Sequence, residues 1–256
     1  MKLVFFLFSL YVLGTNGFSV SSRISNGNKA EDAPHACMVL VLRPDLANTN
    51  TAVLGSGSIV SARHVLTAAH VVQGRDNTFQ INFMVGPSRR SYNSNFALIH
   101  ENYDQKNFAN DIALIFIQDG NTFPVNIIIP ISTEVLQTGV ECTVCGYGFT
   151  SVLTIGFASE YPHAASQRIA NGCQFDNIEA APSHVCAIDE MSNPQGIVCP
   201  GDNGAGLYTT TITNGTAVNA LVGVASHILK GCSTAALTAY TQVSLFANWI
   251  SAITGV

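Results

Sequence analysis

The chain predicts an all-β protein of many antiparallel strands with one helix at its C-terminal end. Short β-branched or aliphatic runs recur between Gly, Asn, Pro and Ser punctuation, at residues 38–42, 58–60, 79–85, 112–117, 221–226 and 240–243. Such runs bounded by turn residues are the signature of strands joined by tight connections. The final segment departs from that pattern, because Leu245, Phe246, Trp249, Ile250 and Ile253 recur at helical spacing behind Ser244. This predicts a helix over about 244–254 with Ser244 as its cap. Hydrophobic residues at 47% and charged residues at 11% in 256 residues suffice for a sizeable core and argue against disorder.

Taken from the N-terminus, residues 1–17 open with Lys2, run through the apolar segment Leu3 to Leu13, and end in Gly14-Thr15-Asn16-Gly17, as a secretory signal does. The apolar run is too short to span a bilayer, and no other uninterrupted run reaches about 18 residues, so no membrane anchor is expected. No internal repeat at a solenoid period is visible. Net charge is −5 and the 11 Lys and Arg residues are scattered, with Arg89-Arg90 the densest cluster, which excludes nucleic acid as an expected partner. Seven cysteines behind a signal peptide indicate a disulfide framework with one thiol left over, and spacing alone does not assign the pairs.

Chemistry-bearing residues fall in three separated motifs. They are Thr67-Ala68-Ala69-His70, then Asn110-Asp111-Ile112-Ala113-Leu114, then Cys199-Pro200-Gly201-Asp202-Asn203-Gly204-Ala205-Gly206. A histidine acting as base needs an oriented imidazole, which an aspartate supplies by accepting from the other ring nitrogen. With Arg23-Ile24-Ser25-Asn26-Gly27 upstream and Val224-Ala225-Ser226-His227 downstream, the chain resembles the trypsin/chymotrypsin family of secreted serine proteases (peptidase S1) with its nucleophilic serine replaced by Asn203. The resemblance runs from Arg23 to the C-terminal helix.

That resemblance implies two six-stranded antiparallel β-barrels, the first over about 24–120 and the second over about 138–243. A linker near 119–139 would join them and the cleft would lie between. It implies a short propeptide, 18–23, cut after Arg23 to free the ammonium of Ile24, which would pair with Asp202. Removing one partner of such a buried pair typically costs about 3–5 kcal/mol, so activation would act as a folding switch. Ser226 is implied as the serine that supports Asp111, and the N–H groups of Gly201 and Asn203 as an oxyanion hole. Ile197 would floor the substrate pocket, with Ile228 and Thr238 as walls and His227 lining the cleft. Branched side chains there, with no acidic floor residue, leave no basis for Lys or Arg selection.

For the cysteines the resemblance implies Cys173 with Cys186 and Cys199 with Cys232. The family bridge around the catalytic histidine would need cysteines at Gly55 and Val71, and both are missing. Cys142 stands at a family cysteine whose partner position is Thr209, and a Cys37–Cys145 pair is the expectation for two of the remaining three. Cys142 and Cys145 have CxxC spacing, but no second pair or His cluster follows at zinc-ligand spacing. His70, Asp111 and His227 likewise lack a defined ligand spacing, so neither metal nor cofactor is expected. Asn214-Gly215-Thr216 on a predicted hairpin turn is an N-glycosylation acceptor.

Asn203 decides the functional expectation. A carboxamide nitrogen is delocalised and its oxygen only accepts, so neither atom can form an acyl intermediate as a serine does. The sequence therefore predicts a secreted, extracellular, monomeric and catalytically inactive homologue that binds protease inhibitors, proteases or their substrates. It would act as a decoy or as a cofactor in an extracellular proteolytic or immune cascade. The alternative is an active endopeptidase of the same family using another nucleophile, the nearest serines in sequence being Ser192 and Ser226.

Overall fold

The computed structural model describes residues 28–30, 33, 35–42, 52–74, 78–118, 120–148, 160–175, 178–189, 198–199, 201–213, 215–228 and 237–256. In chain order, β1 (Asn28–Lys29), β2 (Ala36–Leu42), β3 (Ala52–Ser61) and β4 (His64–Thr67) precede the one-turn helix α1 (Ala69–Val72). Next come β5 (Thr78–Val85), β6 (Ser88–Ser94), β7 (Ala97–Ile99) and β8 (Ala113–Phe116). The second half holds β9 (Glu141–Gly146), β10 (His163–Ile169), a short pair β11 (Gln174–Phe175) and β12 (Ile178–Glu179), and β13 (His184–Asp189). It continues with β14 (Gly206–Thr213), β15 (Thr216–Ile228), β16 (Leu237–Gln242) and the helix α2 (Ala247–Thr254). All six apolar runs singled out in the sequence lie in or across strands.

The two sheets are antiparallel throughout. The second closes on itself in the order β9-β10-β13-β16-β15-β14, because β9 pairs with both β10 and β14, and β1 is added at the outer side of β10. The first runs β6-β5-β2-β3-β4-β8-β7 and no ladder joins its two edges. Among the described residues it is therefore a half-barrel beside the closed second barrel, in keeping with the expected two-barrel fold. Its edges are nonetheless consecutive in the chain: the Ser94 hydroxyl at the end of β6 donates to the carbonyls of Phe96 and Phe116, holding the corner at which β6 turns into β7.

Apolar burial explains why these strands form. β2 is buried almost throughout because it is flanked by β3 and β5 and lies in the larger core, which includes Val39, Ile59, Leu66, Ile81, Phe83 and Leu114. That core continues without a break into Cys145, Tyr147, Leu221, Val224, Phe246 and Ile250 of the second half. A smaller cluster around Val144, Leu207, Val222 and Tyr240 fills the closed barrel. At about 25 cal/mol per Å² of apolar surface, burial across this contact favours the two sheets packing as one body.

The C-terminal helix starts later than the sequence suggests. Val243–Phe246 forms a 3-10 turn and α2 begins at Ala247 with no side-chain cap, so Ser244 is not the cap. Its hydroxyl instead accepts from Gln242 Nε2 at 3.1 Å. The tighter turn brings Phe246 and the partly buried Trp249 against the His100 ring, at centroid distances of 5.0 and 5.1 Å. The helix ends where Gly255 takes a left-handed conformation (φ 76°) and donates its N–H to the Ser251 carbonyl.

Candidate active-site cleft

His70 stands on α1, directly after β4, and Asp111 on the turn entering β8, which pairs with β4. That pairing brings the two residues together across a sequence separation of 41. Nδ1 of His70 lies 2.7 Å from Oδ2 of Asp111, while the His70 main-chain N–H donates to Oδ1 at 2.9 Å. Ser226 on β15 donates to Oδ2 at 2.6 Å, and Thr241 on β16 donates to the Asp111 carbonyl at 2.9 Å. The aspartate is fully buried and its carboxylate is met by three donors, which fixes the imidazole ring against it.

Asn203 lies on the loop before β14, and that loop is built on two left-handed glycines. Gly201 has φ 93° and Gly204 φ 84°, conformations that L side chains avoid. A Cβ on Gly204 would also stand 2.2 Å from Thr67 Oγ1. The loop is tied to β3 through Ser56: its N–H donates to the Asn203 carbonyl at 2.8 Å, and its hydroxyl donates to the Gly201 carbonyl at 3.0 Å. The same hydroxyl accepts from Tyr147 N at 3.0 Å. The N–H groups of Asp202, Gly204 and Ala205 donate to the carbonyls of Cys199, Ala225 and Asp202. Among the described residues the N–H groups of Gly201 and Asn203 meet no acceptor, and no hydrogen bond joins the Asn203 carboxamide to His70.

Asp202 points away from the cleft. Its carboxylate accepts from Gly148 N at 2.7 Å and Cys199 N at 3.0 Å. Burial raises its pKa from the ordinary value to about 7 against the lowering effect of those two N–H groups. Gly146 and Gly148 make room for it, since a Cβ on Gly148 would collide with the carboxyl group. Arg23 and Ile24, which the sequence assigns to activation, lie outside the described residues.

Rings pack beside the dyad. Phe108 sits edge-on to His70 at 5.5 Å and tilted to His227 at 5.4 Å. Its φ of 57° is unusual for a bulky residue. His227 and the nearby His184 are held below the usual imidazole range, chiefly by desolvation, and in His227 secondarily by the charge of His70. Of the expected pocket residues, Thr238 is buried and Ile228 packs on the closed-barrel core, while Ile197 lies outside the described residues. Sequence reasoning missed Ser56, Phe108, His184 and Thr241. A lone Ser, Phe, His or Thr in a strand or loop carries no local signal of what it will touch.

The cysteines divide similarly. Cys173 and Cys186 are bonded, and Cys199 is in a disulfide, while Cys232 and the acceptor Asn214 lie outside the described residues. The expected Cys37–Cys145 bridge is absent: both are free, buried thiols whose pKa burial raises. The Cys37 sulfur lies 3.3 Å from where a Cβ on Gly57, its cross-strand partner on β3, would stand. Cys142 is also free, and the register Tyr208↔Thr143 carries Thr209 opposite it, so no thiol faces it there. A Cβ built on Gly55 would lie 2.5 Å from Val71 Cγ1, so the two positions that lack the family bridge touch.

Paired antiparallel β-sheets, with His and Asp from the first and a Gly-Asp-Asn-Gly loop from the second, define the architecture of a trypsin-like serine protease. The chain belongs to the trypsin family, whose profile, Trypsin, matches residues 24–250. It is similar to Chymotrypsin of Phaedon cochleariae, with 25% identity covering 94% of this chain and 87% of that protein. Serine protease SP24D of Anopheles gambiae is 26% identical over 91% of this chain and 82% of its own length. Tissue-type plasminogen activator of Homo sapiens is 24% identical over 89% of this chain, which covers 44% of that protein. Among the described residues no helix is long and apolar enough to cross a membrane.

Proposed function

We propose that this chain is a secreted, catalytically inactive member of the trypsin family that acts by binding. Its partners would be extracellular protease inhibitors, proteases or their substrates, met as a decoy or as a cofactor of a proteolytic or immune cascade. The observation that supports this reading is Asn203, which falls in the sequence where the family resemblance expects the nucleophilic serine, with no hydrogen bond from its carboxamide to His70 among the described residues. No carboxamide atom can take the role of a serine alkoxide. Cleavage after Arg23 and insertion of the Ile24 ammonium beside Asp202 belong to the same proposal. Supporting it, Asp202 is buried with no cationic partner among the described residues.

The second reading, an active endopeptidase, draws on the intact His70–Asp111 pair. Ser226 does not serve it, because its hydroxyl is committed to Asp111 Oδ2. The deciding experiment is hydrolysis of a peptide library by protein cut after Arg23, run beside Asn203→Ser. A silent native protein supports the binding reading, and cleavage by Asn203→Ser would locate the loss at residue 203. Removing the nucleophilic serine from a protease with this triad chemistry lowers kcat by about 2 × 10⁶, as in subtilisin. Turnover by the native protein at enzyme-like rates overturns the reading.

A further inference from the structure

The strand β14 outruns one of its two neighbours. Its ladder to β9 covers only residues 206–208, whereas its ladder to β15 continues to Thr213. From Thr209 to Thr213 no second strand pairs with it among the described residues. β9 leaves it by following β10, where Cys142 and Glu141 pair with Gln167 and Arg168. Where β9 and β14 part, a cavity of about 240 Å³ opens beside Glu141, Thr143, Tyr208 and Thr210. Thr210, Thr211 and Ile212 are exposed, Ile212 by 71%. Along such an edge the N–H and C=O groups of every second residue face outward in the plane of the sheet.

Sheets usually blunt a free edge with charge, proline or a bulge. The free edge of the first sheet is blunted, because β6 carries Arg89 and Arg90. β14 is not. Residues 206–228, which span β14, its turn and β15, include no Asp, Glu, Lys, Arg or Pro. The bulge in the β14–β15 ladder falls between Leu207 and Tyr208, before the free stretch begins. An uncharged edge of Thr and Ile, both β-branched, is a template for another strand.

We propose that this edge pairs with β14 of a second copy of this chain, antiparallel about a two-fold axis at Thr211. The pairing goes beyond the binding reading above, does not depend on it, and departs from the monomer expected of the sequence. An isologous contact needs a surface complementary to itself. About that axis Thr211 meets its own copy and Thr210 meets Ile212, so no like charges oppose each other and β-branched residues pair across the strands. Each edge offers the donors and acceptors that the other lacks. β6 fails the same requirement, since Arg89 and Arg90 would be set near their own copies. Glu141 beside the cavity is already paired with Arg168 at 2.8 Å, and the free stretch of β14 holds no charge or ring to select a partner of different chemistry. A dimer carries two clefts, so a bivalent partner would be held more tightly than by one.

The test is sedimentation of the full mature protein, before and after removal of any N-linked glycan, beside Thr211→Lys and Thr211→Ser. A strand contact of this length lies well below the roughly 1,200 Å² of a standard interface, so the range to cover is about 10 µM to about 1 mM. The native protein and Thr211→Ser should rise toward twice the monomer mass with concentration. Thr211→Lys, which sets two like charges at the axis, should weaken association about tenfold or more while melting as a folded protein. Thr211→Cys should cross-link two copies under mild oxidation, because Cα atoms about 4.5–5.5 Å apart across antiparallel strands suit a disulfide. Val218→Cys, opposite Thr211 on β15, should cross-link far less. A native protein that stays monomeric at the highest concentration with and without glycan overturns the proposal. So does dimerisation that survives Thr211→Lys, or equal cross-linking of the two cysteine variants.

Discussion

Ser226 Oγ lies 2.6 Å from the same Asp111 oxygen that faces His70 Nδ1 at 2.7 Å. Two donors from different halves of the chain thus converge on one oxygen of a fully buried carboxylate. The hydroxyl orients the aspartate and so the imidazole. In an Asn203→Ser background, Ser226→Ala should lower kcat by about tenfold or more with little change in KM, since a hydrogen bond to a charged group is worth about 1.5–3 kcal/mol. Steady-state kinetics of the single and double variants check this. An unchanged kcat would show that Asp111 holds His70 without Ser226.

The contact between positions 55 and 71 yields a second expectation. Gly55→Cys with Val71→Cys should form a disulfide, detectable as no increase in free thiols over the native protein, and raise stability. Closing a loop of this size in the unfolded chain is worth about 3 kcal/mol in chain entropy. Gly55→Ala alone should destabilise by about 1–3 kcal/mol, because its Cβ would meet Val71 Cγ1 at 2.5 Å and the Asn203 carbonyl at 3.2 Å.

Asp202 makes the uncut chain sensitive to pH. Its folded pKa is raised from 3.8 to about 7, so the folded state holds a proton that the unfolded state has released between those values. Its contribution to stability is present below about pH 4 and is lost as pH rises through about 7, with a slope of up to about 1.4 kcal/mol per pH unit. The difference in thermal midpoint between native protein and Asp202→Asn should therefore shift against the native protein from pH 5 to pH 8. Cutting after Arg23 should remove that shift, if the Ile24 ammonium takes its proposed place.

His35 acts with the opposite sign. It is buried against the Tyr208 ring at 5.1 Å, and burial lowers its pKa from 6.5 to about 4. The stability it contributes is complete above about pH 6.5 and is lost as pH falls toward 4, when burial of a charged imidazole is resisted. His35→Phe should flatten the acid side of the stability profile relative to the native protein. His64, His184 and His227 are depressed in the same direction, so part of the slope should persist.

Much of the fold was legible because apolar strands announce themselves. β2, β5 and β8 are rich in β-branched or aromatic residues that both neighbouring strands and the core bury. β6, with the sequence Ser-Arg-Arg-Ser-Tyr-Asn-Ser, was not legible because it is an exposed edge strand held by the ladder to β5 alone. β10 was missed for a related reason: its His-Ala-Ala-Ser-Gln-Arg-Ile sequence is polar, yet β9, β13 and β1 all pair with it.

Residue types and their spacing were enough to establish the strand-rich class, the family, and the order His70, Asp111, Asn203 along the chain. All of these are written along the chain. It took the folded molecule to show that Thr241 joins the expected Ser226 on Asp111, that Ser56 grips the Gly201 and Asn203 carbonyls, and that Cys37 and Cys145 stay free thiols. Those contacts join residues up to 145 apart in sequence, as Ser56 and Gly201 are. Hydrogen bonds and packing act over a few ångströms in space, and which residues share that space is set by sheet register and core burial, not by any local pattern.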